Sequence, residues 1–395
     1  MSGDTLADAR GASLAEAVER AEILVTTGAG GVGKTTTAAA LGVAAADAGR
    51  EALVLTIDPA RRLAQAMGLD ELASEPQSVT LDADSPGSLD AMMLDMESTF
   101  DSLIDRYAAS PERARAIRSN RIYQTLSSTL SGTQEYMAME KLHELHDRGL
   151  WDLLIIDTPP TRNALDFLEA PKRMTSFLEG RLLRLLMKPG IAAGKSYLRA
   201  VNFGATAFMR MAGKVTGMEL LNDLGDFFRN FEGMYEGFKE RAEEVLELLQ
   251  RPTSQFVVVA SPQPPPLREA KFFVERLQQE GLHAAGVVVN RIHPEAASAP
   301  PPDVLREAAR AQADDREGRA VAGALHLLAD VKGVAERERR DVAAALFGLR
   351  FPALVEVPLL RGDIHDLDGL QQVSKRLVGG SEGQDVPAGT RDVVG

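Results

Sequence analysis

At 395 residues, with 57 acidic against 44 basic side chains and a net charge of -13, the chain has room for two or three domains, or for one large α/β domain with insertions. The acidic balance argues against binding nucleic acid through the surface as a whole, and the absence of cysteine excludes a disulfide framework, a thiolate zinc site and a cysteine nucleophile. Met1 to Arg20 carries acidic residues without the apolar centre of a secretory leader, and no run approaches the ~20 apolar residues of a membrane span, so the expected location is the cytoplasm.

In chain order, Leu14 to Ala21 reads as a short helix, and residues 1–20 as a lead-in segment. Ile23-Leu24-Val25-Thr26-Thr27 is a short apolar, β-branched run, the signature of a buried strand. It feeds directly into Gly28-Ala29-Gly30-Gly31-Val32-Gly33-Lys34-Thr35-Thr36, which matches the phosphate-binding pattern G-x-x-x-x-G-K-[ST]. An alanine-rich helical stretch, Thr37 to Ala46, follows. Strand, glycine loop and helix together place backbone N–H groups and a helix N-terminus around an anion. In that geometry Gly30, Gly31, Val32, Gly33, Lys34, Thr35 and Thr36 hold phosphate, Lys34 reaches the β- and γ-phosphates, and the Thr35 hydroxyl is a Mg²⁺ ligand. A glycine-rich turn with no ligand is the bland alternative; the intact flanks and two later motifs argue against it.

Ala52 to Ile57 reads as a second buried strand ending on Asp58-Pro59-Ala60-Arg61-Arg62. Asp58 therefore stands where open α/β sheets bind ligands, and it is also a good N-cap ahead of Pro59. Ser74 to Ser88 reads as a surface loop, Ala91 to Asp95 as a short strand, and Glu97 to Ala109 and Arg113 to Asn120 as helices separated by Pro111. Gly132 to Arg148 is a further helix whose His143 and His146, with no third ligand nearby in sequence, read as a solvated face rather than a metal fragment.

Leu153-Leu154-Ile155-Ile156-Asp157 is an apolar strand ending in a carboxylate, the arrangement that organises the Mg²⁺ shell beside a phosphate loop. Thr158-Pro159-Pro160-Thr161, just past it, are placed to sense a γ-phosphate. Residues 169–250 change character. Met and Leu crowd 174–187, and Phe227, Phe228, Phe231, Met234, Tyr235, Phe238, Val245, Leu246 and Leu249 recur at helical spacing. That stripe reads either as the core of a helical subdomain or as an adaptable apolar surface for a partner. The strand pattern resumes at Phe256 to Ala260 and Ala285 to Asn290, with a helix over Leu267 to Glu280 between them. Pro294 to Pro302 is a break, Asp303 to Phe347 a charged helical pair, and Ala353 to Val357 the last strand. From Gly379 onward the chain reads as a disordered tail. The alternation predicts a doubly wound, mostly parallel α/β sheet flanked by helices, a P-loop NTPase with an inserted α-helical subdomain.

The loop at 28–36, Asp58-Pro59-Ala60 and Asp157-Thr158-Pro159-Pro160-Thr161, in this order, resemble one family: the ArsA-type anion-pump ATPases and the ATPases that guide tail-anchored membrane proteins, with MinD and ParA partition ATPases as wider relatives. Val288-Val289-Asn290-Arg291 and Val357-Pro358-Leu359-Leu360 also look like that family's adenine-side strand and its final strand-and-loop. The resemblance implies ATP and Mg²⁺ as cofactors and a dimer with two facing nucleotide sites. It implies Lys34 and Asp58 in catalysis, Asp58 positioning the attacking water, and Thr35 and Asp157 at the metal. Asn290, Arg291 and Pro358 would be on the base side. It implies an ATPase core over 21–168 and 251–378, and at 169–250 an insert positioned to bind a hydrophobic client helix, so that membrane contact is indirect, through the client.

Three departures qualify it. The family's second P-loop position is a Lys that reaches across the dimer; here it is Ala29. A trans cation is worth roughly 10³- to 10⁵-fold in rate in arginine-finger systems. Either Arg61, Arg62 or Arg162 substitutes, or the partner is a paralogue that keeps the Lys and makes a heterodimer, or hydrolysis is slow. No Cys pair is available to staple a homodimer through zinc, and no thiolates to capture arsenite, which rules against arsenite pumping. Two functions follow, a chaperone-like, ATP-operated switch for hydrophobic segments or a low-activity regulatory subunit of a heteromeric complex; a third, a partition-type ATPase moving on DNA or membrane, is disfavoured by the missing trans Lys and the acidic net charge.

Overall fold

The computed structural model describes residues 13–57, 62–120, 123, 133–159, 234–296, 298–312, 314–360, 362–364 and 366–379. The chain divides into two compact units: Met1–Met93 with Arg148–Ala164 and Leu249–Gly395, and Leu94–Asp147 with Leu165–Leu248. Asp58, Arg61, Arg162, residues 169–233 of the expected insert and the tail from 380 lie outside the described residues.

Among the described residues, the first unit is built on eight strands: β1 (Ile23–Thr27), β2 (Glu51–Thr56), β3 (Gln77–Ser78), β4 (Ser88–Met93), β5 (Leu153–Asp157), β6 (Ser254–Ala260), β7 (His283–Ile292) and β8 (Leu354–Pro358). They form one sheet in the order β3-β4-β2-β5-β1-β6-β7-β8. Every pairing is parallel except β3 with β4. β1 and β5 are buried at all five positions, as interior strands covered on both faces must be, which is why they read as unbroken apolar runs rather than alternating ones. The doubly wound sheet thus meets the expectation. The strand β3 lies within the stretch expected to be loop; its two residues carry no periodic signal, and its pairing with Asp90 and Ala91 is what defines it.

α1 (Ala15–Arg20) precedes β1, and α2 (Lys34–Asp47) follows the glycine loop. Nearly the whole of α2 is buried, Ala38 to Ala46 included, so its low side-chain volume lets it lie close on the sheet. It packs with Leu24, Val54, Ile155, Val257, Val288 and Val355, one face of the strands. α3 (Arg62–Ala66) follows β2. α8 (Pro264–Gln279) starts with three prolines, tolerated in the first turn, where the backbone N–H groups have no intrahelical acceptor. Completing this unit are α9 (Pro302–Arg310), α10 (Arg316–Leu346) and α11 (Leu367–Val378); Asp315 and Asp366 cap the last two by accepting from Gly318 N and Gly369 N.

In the second unit, α4 (Met96–Tyr107) is capped by Asp95, which accepts from the N–H groups of Glu97 and Ser98. α5 (Pro111–Arg118) is capped by Ser110, with Pro111 inside the helix rather than between two helices. The described parts of α6 (Thr133–Arg148) and α7 (Tyr235–Gln250) complete it. Of the apolar stripe read in 227–249, the side chains of Met234, Val245, Leu246 and Leu249 are described; Met234, Val245 and Leu249 are buried and Leu246 is half-buried. One expectation fails here. His143 does not face solvent; its side chain is 12% exposed, with Nδ1 3.0 Å from Asp147 and Nε2 3.3 Å from the Arg241 guanidinium. Arg241 in turn donates from Nε to Glu140 at 3.2 Å, and Tyr136 donates to Glu140 at 2.7 Å. The partner that buries the histidine comes from 98 residues away, beyond the reach of helical periodicity.

Candidate nucleotide site

The site forms at the carboxyl end of β1, where the order of the sheet reverses: β2 lies to one side of β1 beyond β5, and β6 and β7 to the other. β1 delivers the chain into a loop whose Gly28, Gly31 and Gly33 all have positive φ, at 146°, 77° and 101°. Two of these glycines are needed for space as well. A Cβ on Gly28 would fall 2.0 Å from the Val259 carbonyl oxygen, and one on Gly33 would fall 2.1 Å from Asn290 Nδ2. The loop is therefore held against the ends of β6 and β7.

Lys34 opens α2, is 6% exposed, and donates to the carbonyls of Gly28 at 3.1 Å and Ala29 at 3.0 Å. The ammonium thus lies over the concavity of its own loop. Thr35 Oγ1 donates to Asp157 Oδ2 at 2.7 Å, and Thr56 Oγ1, from the end of β2, donates to the same oxygen at 3.0 Å. Asp157 is fully buried at the end of β5. A buried carboxylate is costly unless hydrogen bonds stabilise it, and these two hydroxyls do so. Hydroxyl and carboxylate oxygens are the ligands a hard cation takes, so Thr35 and Asp157 are residues that could hold Mg²⁺. The two strands are stitched at the same level: Thr158 Oγ1 donates to Thr26 O at 2.8 Å, and Thr26 Oγ1 to Ile156 O at 3.2 Å.

Asn290 and Arg291 sit at the carboxyl end of β7. Asn290 Nδ2 donates to Val32 O at 2.8 Å, and its Oδ1 accepts from the Arg291 N–H at 2.9 Å. Arg291 Nη1 donates to Gly31 O at 3.3 Å. The register of β7 on β8 slips between Asn290 and Ile292, so Arg291 is a bulge, and its φ is 62°, left-handed for a residue with a Cβ. That conformation costs on the order of 1–2 kcal/mol and persists only where surrounding contacts enforce it. Pro358, the last residue of β8, pairs with Ile292, and Leu359 N donates to Ile292 O at 2.8 Å.

The structure therefore brings together Gly30 to Thr36, Asp157, Asn290 and Arg291, with Pro358 one residue pair beyond the bulge; Asp58 is outside the described residues. The sequence reading missed Thr56, and it gave Thr158 no part in joining the strands. Each is a threonine at or just past a strand's carboxyl end, the usual position of ligand-side residues, and nothing in its local pattern sets it apart from a strand-forming Thr.

The family profile of the anion-transporting ATPases matches residues 21–314. The chain is 25% identical over 281 residues to an ATPase ASNA1 homolog of Entamoeba histolytica, covering 68% of this chain and 75% of that protein. It is 24% identical over 281 residues to a putative arsenical pump-driving ATPase 1 of Aquifex aeolicus, covering 69% of this chain and 64% of that one. With the ATPase GET3 of Malassezia globosa it shares 26% identity over 265 residues, 67% of this chain and 71% of the relative. With the phosphate loop, the buried Asp157 and the parallel sheet in place, the chain belongs to the anion-transporting ATPase family and is an ATPase.

Proposed function

We propose that this ATPase is a nucleotide-operated switch that works as a dimer and couples the state of its site to the binding of hydrophobic polypeptide segments on residues 169–250. The observation that carries the switch reading is the hydrogen bond from Thr35 Oγ1 to Asp157 Oδ2. It ties the phosphate loop to the strand end from which Thr158-Pro159-Pro160-Thr161 departs, so a change at the γ-phosphate is felt where that segment begins. In this reading Lys34 and the loop N–H groups hold the phosphates, Thr35 and Asp157 the metal, and Asp58 orients the attacking water. Mg²⁺, when bound, would neutralise charge on the phosphate oxygens. Asn290, Arg291 and Pro358 flank the base.

The deciding experiment is steady-state ATP turnover by the purified chain beside Asp58→Asn. Turnover in the wild type that falls at least about 10²-fold in the variant supports the assignment; equal turnover in both removes Asp58 from catalysis. For the client, removal of 174–250 should abolish capture of an apolar helical peptide, and unchanged capture would sink the client role.

Ala29 favours a second reading, a regulatory subunit beside a paralogue that carries Lys at this position. Native mass with and without ATP separates the two: a self-sufficient switch dimerises alone, whereas a regulatory subunit does so only with its paralogue.

A further inference from the structure

Past the Arg291 bulge the chain enters His293-Pro294-Glu295-Ala296 and then a proline-rich run to α9. A stretch of this kind has no ladder of its own to satisfy its backbone groups. α10 supplies the partners. Glu338 Oε2 accepts from the His293 N–H at 2.8 Å, while its Oε1 lies 2.9 Å from His293 Nδ1. Arg339 Nη1 donates to His293 O at 3.1 Å, and its Nη2 pairs with Glu356 of β8 at 3.0 Å. Earlier on the same helix, Lys332 Nζ donates to Ala296 O at 3.2 Å and also to Ala299 O. Glu338 and Arg339 are largely buried in these contacts, at 13% and 19% side-chain exposure. Beside them is a cleft of about 440 Å³ bounded by Glu295, Ala296, Lys332 and Arg339.

Two geometric facts connect this grip to the nucleotide. The gripped segment begins two residues after Arg291, whose left-handed backbone needs external support and whose side chain, with that of Asn290, holds the outer carbonyls of the phosphate loop. And β7 is two strands from β1 in the sheet, so its carboxyl end lies ~10 Å from that of β1, a separation on the scale of a nucleotide's length.

We propose that Glu338, Lys332 and Arg339 on α10 are positioning residues that station residues 293–296 and Ala299 at the base end of the nucleotide site. None of the three belongs to the phosphate loop. They act through the bulge and the segment beyond it, so α10 sets affinity for the nucleoside part of the ligand. The inference rests on the reading of the phosphate loop as the ATP site with β7 on its base side.

The test compares ADP with inorganic pyrophosphate as ligands of the full chain by titration calorimetry, in wild type, Glu338→Gln and Lys332→Met. The two variants break the grip from different sides. ADP affinity should fall on the order of tenfold, the worth of a hydrogen bond to a charged group, while pyrophosphate affinity stays within about twofold. Unchanged ADP affinity in both variants overturns the proposal. So does a parallel loss of both ligands, which is what general damage to the fold produces. A wild type that binds pyrophosphate but not ADP overturns the base-side reading on which the proposal stands, a result distinct from either.

Discussion

Thr35 at the start of α2 and Asp157 at the end of β5 are 122 residues apart and share a 2.7 Å hydrogen bond, with the hydroxyl as donor. Asp157 is fully buried, and Thr56 donates to the same oxygen. Replacing Asp157 with Asn keeps the shape but removes the negative charge and one acceptor. We expect Asp157→Asn to shift the Mg²⁺ dependence of turnover to higher concentration by about tenfold or more, and Thr56→Val to shift it by less. A magnesium titration of ATPase rate checks both; identical curves for Asp157→Asn and wild type would refute the role of the carboxylate.

The glycines of the loop are not equivalent. Gly31 has φ 77° but open space where a Cβ would stand, whereas at Gly28 the Cβ meets a backbone carbonyl at 2.0 Å that cannot rotate away. Gly31→Ala should cost about 1–2 kcal/mol, the left-handed penalty alone. Gly28→Ala should cost more, because β6 must shift as well, and should abolish phosphate binding. Thermal unfolding with and without ADP separates the two effects; equal losses in the two variants would show that the loop is not pressed on Val259.

Most of the first unit was readable because parallel interior strands are continuous apolar runs and because a phosphate loop must sit between a strand and a helix. The place of Asp157 at the end of a buried strand was legible too, because the apolar run ending in Asp is paired with a phosphate loop and followed by Thr158-Pro159-Pro160-Thr161. The contacts of Asn290 with the loop were not legible, since a strand pattern locates the residue but not the direction of its amide. His143 was misread because its surroundings are set by α7, and the amphipathic pattern of α6 alone carries no information about a charged partner from another helix.

That environment gives a pH prediction. Desolvation first, and then the nearby Arg241 guanidinium, hold the His143 imidazole below its ordinary value of 6.5, outweighing Asp147 and Glu244, which pull the other way. The fold therefore prefers neutral His143. Above pH 6.5 the side chain is neutral in both folded and unfolded chains and contributes nothing; as pH falls through 6.5 the unfolded chain takes up the proton first and stability is lost. Glu140 works in the opposite sense, because burial raises its carboxyl despite the hydrogen bonds from Tyr136 and Arg241. His143→Gln leaves Glu140 in place, so comparing unfolding midpoints of wild type and variant at about pH 8 and about pH 5.5, on either side of the unfolded value, isolates the histidine. The variant should lose less stability on acidification; an equal loss would refute the assignment.

The ion pair behind His143 makes a separate prediction. The Arg241 and Glu140 side chains are 7% and 2% exposed. Removing one charge leaves the other buried, so Arg241→Met should destabilise by about 3–5 kcal/mol, whereas Arg241→Met with Glu140→Gln should recover much of that loss. Denaturant midpoints of the two variants decide it; a double variant as unstable as the single one would mean that Arg241 acts by packing rather than charge.

Ala29 offers the most direct probe of assembly. It is half-buried at the second position of the phosphate loop, and it is its carbonyl, not its side chain, that accepts from Lys34, so a substitution there leaves that hydrogen bond available. If two copies of this chain face each other across their nucleotides, Ala29→Lys places a cation at the opposing phosphates and should raise turnover by an order of magnitude or more, since trans cations in arginine-finger systems contribute roughly 10³- to 10⁵-fold. The gain must depend on protein concentration, because a contact between two chains is lost on dilution below the dimer dissociation constant. Turnover measured across a wide dilution series gives the answer. A gain that vanishes on dilution identifies a homodimer, while no gain at any concentration removes the facing-site homodimer and leaves the heteromeric reading.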